Sequence, residues 1–374
     1  MIFPAAVICS LLGADARLSA TAAELADARD SITQEELRDH VAFLASDTLE
    51  GRAAGSDGGR AAAAYLADAF RSLGLQPVGD DFRQEYGESG HQNVIARWGG
   101  DADDPNEPAP IIVSGHYDHV GRGSWWNRIK PRHRVVTAPP LPRIAPKGPV
   151  HNGADDNASG TSLVLEIAEA CSQLPPPRRP VFFALWDGEE VGLVGSGEYA
   201  LQTEEDPAAL VIVTDMVGRA SCDRVYVYGS TTVPGLEDVV AAAAAETQAV
   251  DGPLQAIFLH EHLPRSDHWP FYKRGVPYLF LNTGLHPQYH QPEDDADLLN
   301  YPVMEAIGRT MFTVLMGVMD EDFTIELDPA SKELPTTMLP PQSVCPSAED
   351  TADDSEADQS DADESDASGS QKAD

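Results

Sequence analysis

The chain of 374 residues is poor in cysteine, in basic residues and in long apolar segments. Its four cysteines show no paired spacing, so they neither require a disulfide framework nor exclude one bridge, and they exclude a structural zinc site of the cysteine type. Lys and Arg number 25 against 61 Asp and Glu, and the formal net charge of -36 argues against nucleic acid and anionic membrane surfaces as partners. No segment approaches the length of about 18 apolar residues that a membrane span requires.

The two ends of the chain differ in composition from the middle. Residues 1–16 form a short apolar run that ends in Ala-Asp-Ala, which resembles the core and cleavage site of an export signal. Residues 1–30 are therefore predicted to be an export signal and linker. The protein is then expected to be periplasmic or secreted. If the run is not a signal, the alternative is a cytoplasmic protein. Residues 326–374 are predicted to be a Pro-rich linker and an acidic, disordered tail.

Between these ends, short apolar runs alternate with amphipathic helical patterns. The runs have the composition of strands that are buried on both faces, and they lie at 110–115, 180–186, 210–214 and 276–282. Helical spacing is clear at residues 60–73 and 302–319. This alternation predicts one α/β domain over residues 31–325, with a mostly parallel, twisted sheet and helices on both of its faces.

Metal-binding residue types follow each apolar run. The segments that do so are His116-Tyr117-Asp118, Asp187-Gly188-Glu189-Glu190, Asp215, and a loop with His286 and His290. A further stretch, HNGADDNASG at residues 151–160, places Asp155 and Asp156 side by side before a helical pattern. Open α/β sheets bind ligands beyond the carboxyl ends of their strands, so these side chains are expected to meet at one edge of the sheet.

The chemistry of these residues favours a metal site. Imidazole and carboxylate ligands suit zinc, with manganese or cobalt as alternatives. Two histidines and three carboxylates are too many for one catalytic zinc that keeps a water, and they suit two ions roughly 3.5–4 Å apart that share a carboxylate and a water. One member of the pair Glu189-Glu190 can be a ligand and the other the general base. Asp118 is placed to orient the His116 ring.

Six segments together resemble the zinc aminopeptidases of the M28 peptidase family, in the order and spacing of that family. They are GHYDHVG (115–121), HNGADDNASGT (151–161), WDGEEVGLVGS (186–196), TDMVG (214–218), RSDHWPF (265–271) and GLHPQYHQPEDD (284–295). The resemblance spans about residues 93–295, and the helical region 31–74 also resembles the N-terminal part of the family. Residues 121–150 form a longer and more basic loop than the family's simplest pattern has.

The resemblance implies the family's zinc aminopeptidase fold, two zinc ions per chain, and a role for each matching residue. The implied roles are Asp156 as the bridging ligand, His116 and Asp215 as ligands of one zinc, Glu190 and His290 as ligands of the other, Glu189 as the general base, Asp118 as the residue that orients His116, Tyr289 as a hydrogen-bond donor to the substrate carbonyl, and Arg265 as a neighbour of the substrate. His119 and His151 are expected to be loop or surface histidines rather than ligands.

The function expected from this reading is that of an exported metallo-aminopeptidase acting on peptides. The first alternative is another zinc hydrolase or acyltransferase on the same scaffold, of the carboxypeptidase or glutaminyl cyclase type. The second alternative is a non-catalytic binding domain, which predicts the loss of ligands or of the base, and none is lost here. The sequence leaves the oligomeric state and the preferred N-terminal residue open.

Overall fold

A computed structural model gives the fold and describes residues 20–87, 90–123, 148–202 and 207–343. All of these residues belong to one compact unit that ends at Ser343. The apolar run at 1–16, most of the loop 121–150 and the acidic tail lie outside the described residues, so the predictions made for them stay predictions. No helix among the described residues is long and apolar enough to cross a membrane.

One sheet of nine strands organises the described chain. The strands are β1 (Gln76–Pro77), β2 (Arg83–Tyr86), β3 (His91–Trp98), β4 (Ile111–His116), β5 (Val181–Trp186), β6 (Leu210–Thr214), β7 (Arg224–Tyr228), β8 (Gln255–Leu259) and β9 (Tyr278–Asn282). Their order is β1-β3-β5-β4-β6-β9-β7-β8, and β2 also pairs with β3. The central strands β5, β4, β6 and β9 are parallel. The expected α/β class with a parallel centre is confirmed, but β3 and β7 join this centre antiparallel.

Helices cover both faces of the sheet. They are α1 (Ala22–Asp30), α2 (Gln34–Leu44), α3 (Asp57–Ser72), α4 (Gly160–Ser172), α5 (Val194–Gln202), α6 (Leu236–Glu246), α7 (His268–Tyr272) and α8 (Tyr301–Val318). Residues from α2, α3, α4, α6 and α8 pack in a large apolar cluster on one face, and residues from α5 and α7 pack in a smaller cluster on the other. The sheet is therefore the middle layer of three.

Strand β5 shows why the apolar runs are continuous. Val181, Phe183 and Leu185 belong to the large cluster, whereas the alternate residues Phe182 and Ala184 belong to the small one. Successive side chains of a strand point to opposite faces, so a strand covered on both faces needs an apolar residue at every position. The end of such a strand is then the first place where polar side chains can gather.

The start of α4 is tied to the ends of two central strands. The Thr161 hydroxyl donates to the carbonyl of His116 (2.7 Å), and the Thr214 hydroxyl donates to the carbonyl of Gly160 (3.2 Å). The Asn157 side chain donates to the carbonyl of Thr214 (3.0 Å). Together these bonds fix the loop before α4 against the carboxyl edge of β4 and β6.

Both ends of the described chain pack onto the domain beyond the limits expected from the sequence. Residues 22–30, assigned to a linker, form α1, and Ala28 within it is buried in the large cluster. Residues 335–343, assigned to a linker after the domain, lie along two loops and are called the C-terminal strap below. The backbone N–H of Thr337 donates to the carbonyl of His262, and the N–H of Leu285 donates to the carbonyl of Pro341, both at 2.8 Å.

The close approach of α4 to β6 requires a glycine at position 160. A Cβ atom there would overlap the carbonyl oxygen of Thr214 and the side chain of Asn157. We expect Gly160→Ala to lower the free energy of unfolding by about 1–3 kcal/mol, the range of overpacked sites. Urea denaturation measures this change.

Gly197 in α5 is the matched control, because nothing lies within 4 Å of a Cβ atom built there. Gly197→Ala should raise the free energy of unfolding by roughly 0.5–1 kcal/mol, since alanine is the better helix former. Equal effects of the two substitutions would contradict the packing described for α4.

Candidate metal centre

Four parallel strands deliver the polar side chains that the sequence places after them. His116 is the last residue of β4, Glu189 and Glu190 follow β5, Asp215 follows β6, and the loop after β9 carries His290. With Asp156 they form two groups whose ligand atoms lie within 4.8 Å of one another, namely His116-Asp156-Asp215 and His119-Asp156-Glu190-His290. The five residues expected to bind metal therefore meet at one edge of the sheet.

Asp156 is the member that both groups share. Its Oδ1 lies 3.4 Å from Nε2 of His116, which is 3.2 Å from Oδ1 of Asp215. Its Oδ2 lies 2.8 Å from Nε2 of His290, which is 3.0 Å from Oε1 of Glu190. One carboxylate oxygen thus faces each group, which is the placement that a bridging ligand requires.

Asp294 holds the loop that presents Asp156. Its carboxylate accepts from the backbone N–H groups of Asp155 (3.0 Å) and Asp156 (3.1 Å), and its carbonyl accepts from the N–H of Ala154 (3.0 Å). Burial, with Asp155 close by, raises the pKa of Asp294 to about 7. The peptide bond between Asp156 and Asn157 is cis.

Asp155 points away from both groups. Its Oδ1 accepts from the N–H of Gly218 (2.6 Å) and from the Ser159 hydroxyl (3.1 Å), and its Oδ2 lies 3.2 Å from Nε2 of His286. The two adjacent aspartates therefore have different environments, and Asp155 supports the loop while Asp156 faces the site.

Asp118 contacts the loop of Glu189 and Glu190 and the ring of His116 at the end of β4. Its carboxylate oxygens accept from the backbone N–H groups of Glu189 (3.0 Å) and Glu190 (3.3 Å), and its Oδ1 is 3.6 Å from Nδ1 of His116. Burial raises the pKa of Asp118 to about 6, although His116 acts in the opposite direction. Asp118 thus fixes the segment of Glu189 and Glu190 in addition to its contact with His116.

Arg52 is a buried cation that the sequence analysis did not single out. Its guanidinium donates to the carbonyls of Tyr117 (2.8 Å), Asn152 (2.7 Å) and Gly153 (3.0 Å), and also to that of Leu44. Burial lowers the pKa of Arg52 to about 10, which still leaves it charged at neutral pH. Arg52 therefore joins the segment after β4 to the loop of Asp156, and it adds positive charge behind them.

The histidines facing the carboxylates hold protons strongly in the metal-free protein. Burial disfavours the charged form of His290, but Glu190 and Asp156 outweigh burial and raise the pKa to about 10. Burial is likewise outweighed at His116, where Asp215 and neighbouring carboxylates hold the pKa well above its usual value. Burial raises the pKa of Glu189 well above its usual range, and Glu190 and Asp215 add to this rise.

His119 differs from its expected place. It was predicted to be a loop or surface histidine rather than a ligand. It does lie in the loop after β4, but its side chain is buried and its Nδ1 lies 2.9 Å from Oε1 of Glu190. A histidine three residues after His116 carries no sequence signal of its own. Its burial follows from the packing of Arg52, Ala53 and Gly153 against it.

A pocket opens beside the shared aspartate. Its lining comes from five loops, strand β9 and the C-terminal strap: Asp156, Glu189, Asp215, Met216, Leu263, Arg265, Phe280, Asn282, Leu285, Tyr289 and Pro340. The Tyr289 ring stacks on that of His290, with 3.9 Å between centroids. Arg265 donates to the carbonyl of Met338 in the strap (3.0 Å). Tyr289 and Arg265, both expected near the substrate, thus border the same pocket as Glu189.

The donor set fits metal ions. Imidazole nitrogens and carboxylate oxygens from separate loops converge in two groups, one buried and one partly buried, and the carboxylates within them repel one another unless a positive charge lies between them. His116, Asp156 and Asp215 would hold one ion, and Asp156, Glu190 and His290 the other. The second group also contains His119.

The middle of the chain matches a known protein family. The family model described as Peptidase family M28 matches residues 93–315, which is more than half of the chain. Aminopeptidase YwaD of Bacillus subtilis is 30% identical over 171 residues, and this match covers 43% of the chain but only 36% of YwaD.

Solved structures share the fold at low sequence identity. BSAP, a zinc aminopeptidase from Bacillus subtilis, superposes with a TM-score of 0.57 at 16% identity, over 77% of this chain and 95% of BSAP. The glutaminyl cyclase of Porphyromonas gingivalis superposes with a TM-score of 0.55 at 21% identity, over 76% of this chain and 97% of the cyclase. These similarities show the fold and leave the choice of reaction to the residues of the site.

The hydrogen bonds of Asp294 yield a test of how the loop of Asp156 is held. We expect Asp294→Ala to weaken zinc binding by about 10–100-fold, the usual cost of removing a group that orients a ligand. Zinc competition with a fluorescent chelator measures the change. Glu293→Ala is the control, because Glu293 is exposed, and the hydrogen bonds to the loop of Asp156 come from its neighbour Asp294. The same loss in both variants would contradict the role given to Asp294.

The raised pKa values of His116 and His290 predict that zinc binding competes with protons. A group with a raised pKa in the metal-free protein must release its proton before it can bind a metal, so zinc affinity should rise with pH. We expect at least about a tenfold gain per pH unit from about pH 6.5 to about pH 8.5, where the His290 ring, with its pKa of about 10, starts protonated. Chelator competition at several pH values checks this, and an affinity independent of pH would contradict it.

Proposed function

The chain belongs to peptidase family M28, and from that premise we propose that it is an aminopeptidase with two zinc ions bound side by side. The observation that carries this proposal is the orientation of Asp156, whose Oδ1 faces His116 while its Oδ2 faces His290. A single-ion site would need only one of these groups. Two complete groups that share one carboxylate are the arrangement of a two-metal hydrolase.

Two bound zinc ions would lower the pKa of a water shared between them and polarise the scissile carbonyl. The remaining tasks belong to side chains of the chain. Glu189 lines the pocket with Asp156 and Asp215 but belongs to neither metal group. In our proposal it takes a proton from the attacking water and passes it to the leaving amine.

The environment of Glu189 suits this double task. Burial and two neighbouring carboxylates favour its protonated form, while the charge of bound metal ions would act in the opposite direction. A carboxyl group under these opposed influences can accept a proton and release it within one turnover. Asp118, through the backbone N–H of Glu189, keeps this carboxylate in place.

Tyr289 is our candidate for stabilising the developing oxyanion. Its ring stacks on His290 and borders the pocket, and burial raises its pKa well above the usual value, so its hydroxyl remains a donor at neutral and alkaline pH. A donor aimed at the carbonyl oxygen lowers the barrier by stabilising the charge that forms there. The substrates of this proposal are peptides with a free N-terminus.

A cyclase that acts on N-terminal glutamine is the second candidate, because a glutaminyl cyclase shares the fold over almost its whole length. The two candidates differ in what the site must do. Hydrolysis needs a water activated at the metal centre, whereas cyclisation uses the amine of the substrate itself. The complete second group of His116 and Asp215 favours hydrolysis, since it offers a place for a second ion.

We further propose that the protein acts outside the cytoplasm. Cys222 is disulfide-bonded. Disulfides persist mainly in oxidising compartments. Cell fractionation of the expressing host checks this, and a purely cytoplasmic protein with reduced Cys222 would contradict it.

Glu189→Gln tests the assigned base directly. The amide keeps the shape of the side chain but cannot accept a proton, so we expect the hydrolysis of leucine- and alanine-p-nitroanilide to fall by about 10²–10⁴-fold. Zinc content should stay at two ions per chain, because Glu189 is outside both metal groups. The measurement combines initial rates with metal analysis on the same samples.

Glu198→Gln is the matched control, since Glu198 lies exposed on α5 and the chemical change is the same. It should leave both rate and zinc content unchanged. Loss of zinc in Glu189→Gln would make Glu189 a ligand rather than the base. Turnover of N-terminal glutamine peptides without hydrolysis of either anilide would favour the cyclase.

A further inference from the structure

The group around His290 holds one donor more than the roles assigned above require. His119 is 1% exposed, and its Nδ1 lies 2.9 Å from Oε1 of Glu190 and 3.8 Å from Oδ2 of Asp156. Its ring meets that of His290 edge to face, with 5.5 Å between centroids. The His119 ring therefore faces the same space as the side chains of Asp156, Glu190 and His290.

The backbone and the ring of His119 are both held in place. Its N–H donates to the carbonyl of Arg52 (3.1 Å). Gly153 lies against the ring, since a Cβ atom there would come within 2.5 Å of its Cγ and Cδ2 atoms. Gly153 also has a positive φ of 56°, which strains most other residues. The orientation of His119 is thus part of the same packing that fixes the loop of Asp156.

The ring nitrogens of His119 have no hydrogen-bond partner within the described ranges. The Nδ1 atom instead lies 2.9 Å from Oε1 of Glu190, which is another potential ligand atom of the same group. Buried imidazoles nearly always satisfy at least one nitrogen, so this side chain requires an explanation. A metal ion between the donors would supply it, because ligands of one ion approach each other without donating to each other.

The spacing of the donor atoms agrees with this explanation. Four of the distances between donor atoms in the group are 2.8, 2.9, 3.0 and 3.8 Å. Ligands in a tetrahedron around zinc, at bond lengths of about 2.0–2.1 Å, lie about 3.3–3.4 Å from one another. Three of the observed distances are shorter than that value and one is longer, and all four ligand atoms lie within 4.8 Å of one another, so one ion can be reached by all four side chains.

We propose that His119 is a fourth protein ligand of the ion held by Asp156, Glu190 and His290. This inference rests on the two-zinc site of the proposed function, and it makes the two zinc ions differ in their number of protein ligands. One ion would have four protein ligands, namely two imidazoles and two carboxylates. The other ion would have three protein ligands. The ion with four donors is then the tightly held one, and the ion of His116 and Asp215 exchanges more easily.

Zinc K-edge X-ray absorption of the two-zinc protein tests this ligand set without reference to activity. The wild type should show three imidazoles for two zinc ions, from His116, His119 and His290, and His119→Gln should show two. His268→Gln is the control. His268 is also buried, its ring nitrogens also have no partner among the described residues, and it belongs to neither metal group.

An imidazole count that is the same in wild type and His119→Gln, with two zinc ions bound to each, would overturn the inference. In that case His119 only orients Glu190. A wild type that binds one zinc ion would instead refute the two-metal function on which the inference rests, so the two failures can be told apart.

Zinc competition with a chelator gives an independent readout. In His119→Gln we expect one of the two zinc ions to bind at least about tenfold more weakly, while the other keeps its affinity. Near-ultraviolet circular dichroism of the metal-free variant establishes that it is folded. Unchanged affinity at both sites in a folded variant would also overturn the inference.

Discussion

Mutual repulsion among buried carboxylates is the constraint on which the rest of this structure depends. Asp156, Glu190 and Asp215 share one space at the edge of the sheet, and Asp118 contacts the backbone of Glu190. Two such charges about 4 Å apart repel by roughly 4 kcal/mol at the effective dielectric of a protein site. The chain offsets this cost with imidazoles, backbone N–H groups and the buried charge of Arg52. In the function that we propose, zinc ions supply most of the compensation.

Each supporting residue acts on the backbone of a loop rather than on the ligands alone. Asp294 binds the N–H groups around Asp156, Asp118 binds those of Glu189 and Glu190, and Arg52 binds the carbonyls on either side of the site. Loops held in this way keep their side chains at short distances despite the repulsion. The parallel strands bring the loops to one edge, and these buried polar groups then fix how the loops stand relative to one another.

The α/β class and its parallel centre could be predicted because apolar runs buried on both faces are visible in a sequence. The residues that meet at the strand ends followed from the same runs. The contacts of Arg52, Asp294 and His119 could not be predicted, because each depends on packing between distant segments, such as Arg52 with Asn152, 100 residues later. The strands β1, β2 and β8 were missed because most of their residues are exposed or only partly buried. Helix α1 and the C-terminal strap were missed because their composition resembles that of linkers.

The central claim is that Asp156 bridges two metal ions, and anomalous diffraction from a crystal grown with zinc tests it most directly. The account predicts two anomalous peaks roughly 3.5–4 Å apart, the usual spacing of a two-metal hydrolase. One peak should lie near His116 and Asp215 and the other near Glu190 and His290, with one oxygen of Asp156 towards each. A single peak at full zinc occupancy, or two peaks without Asp156 between them, would contradict the account.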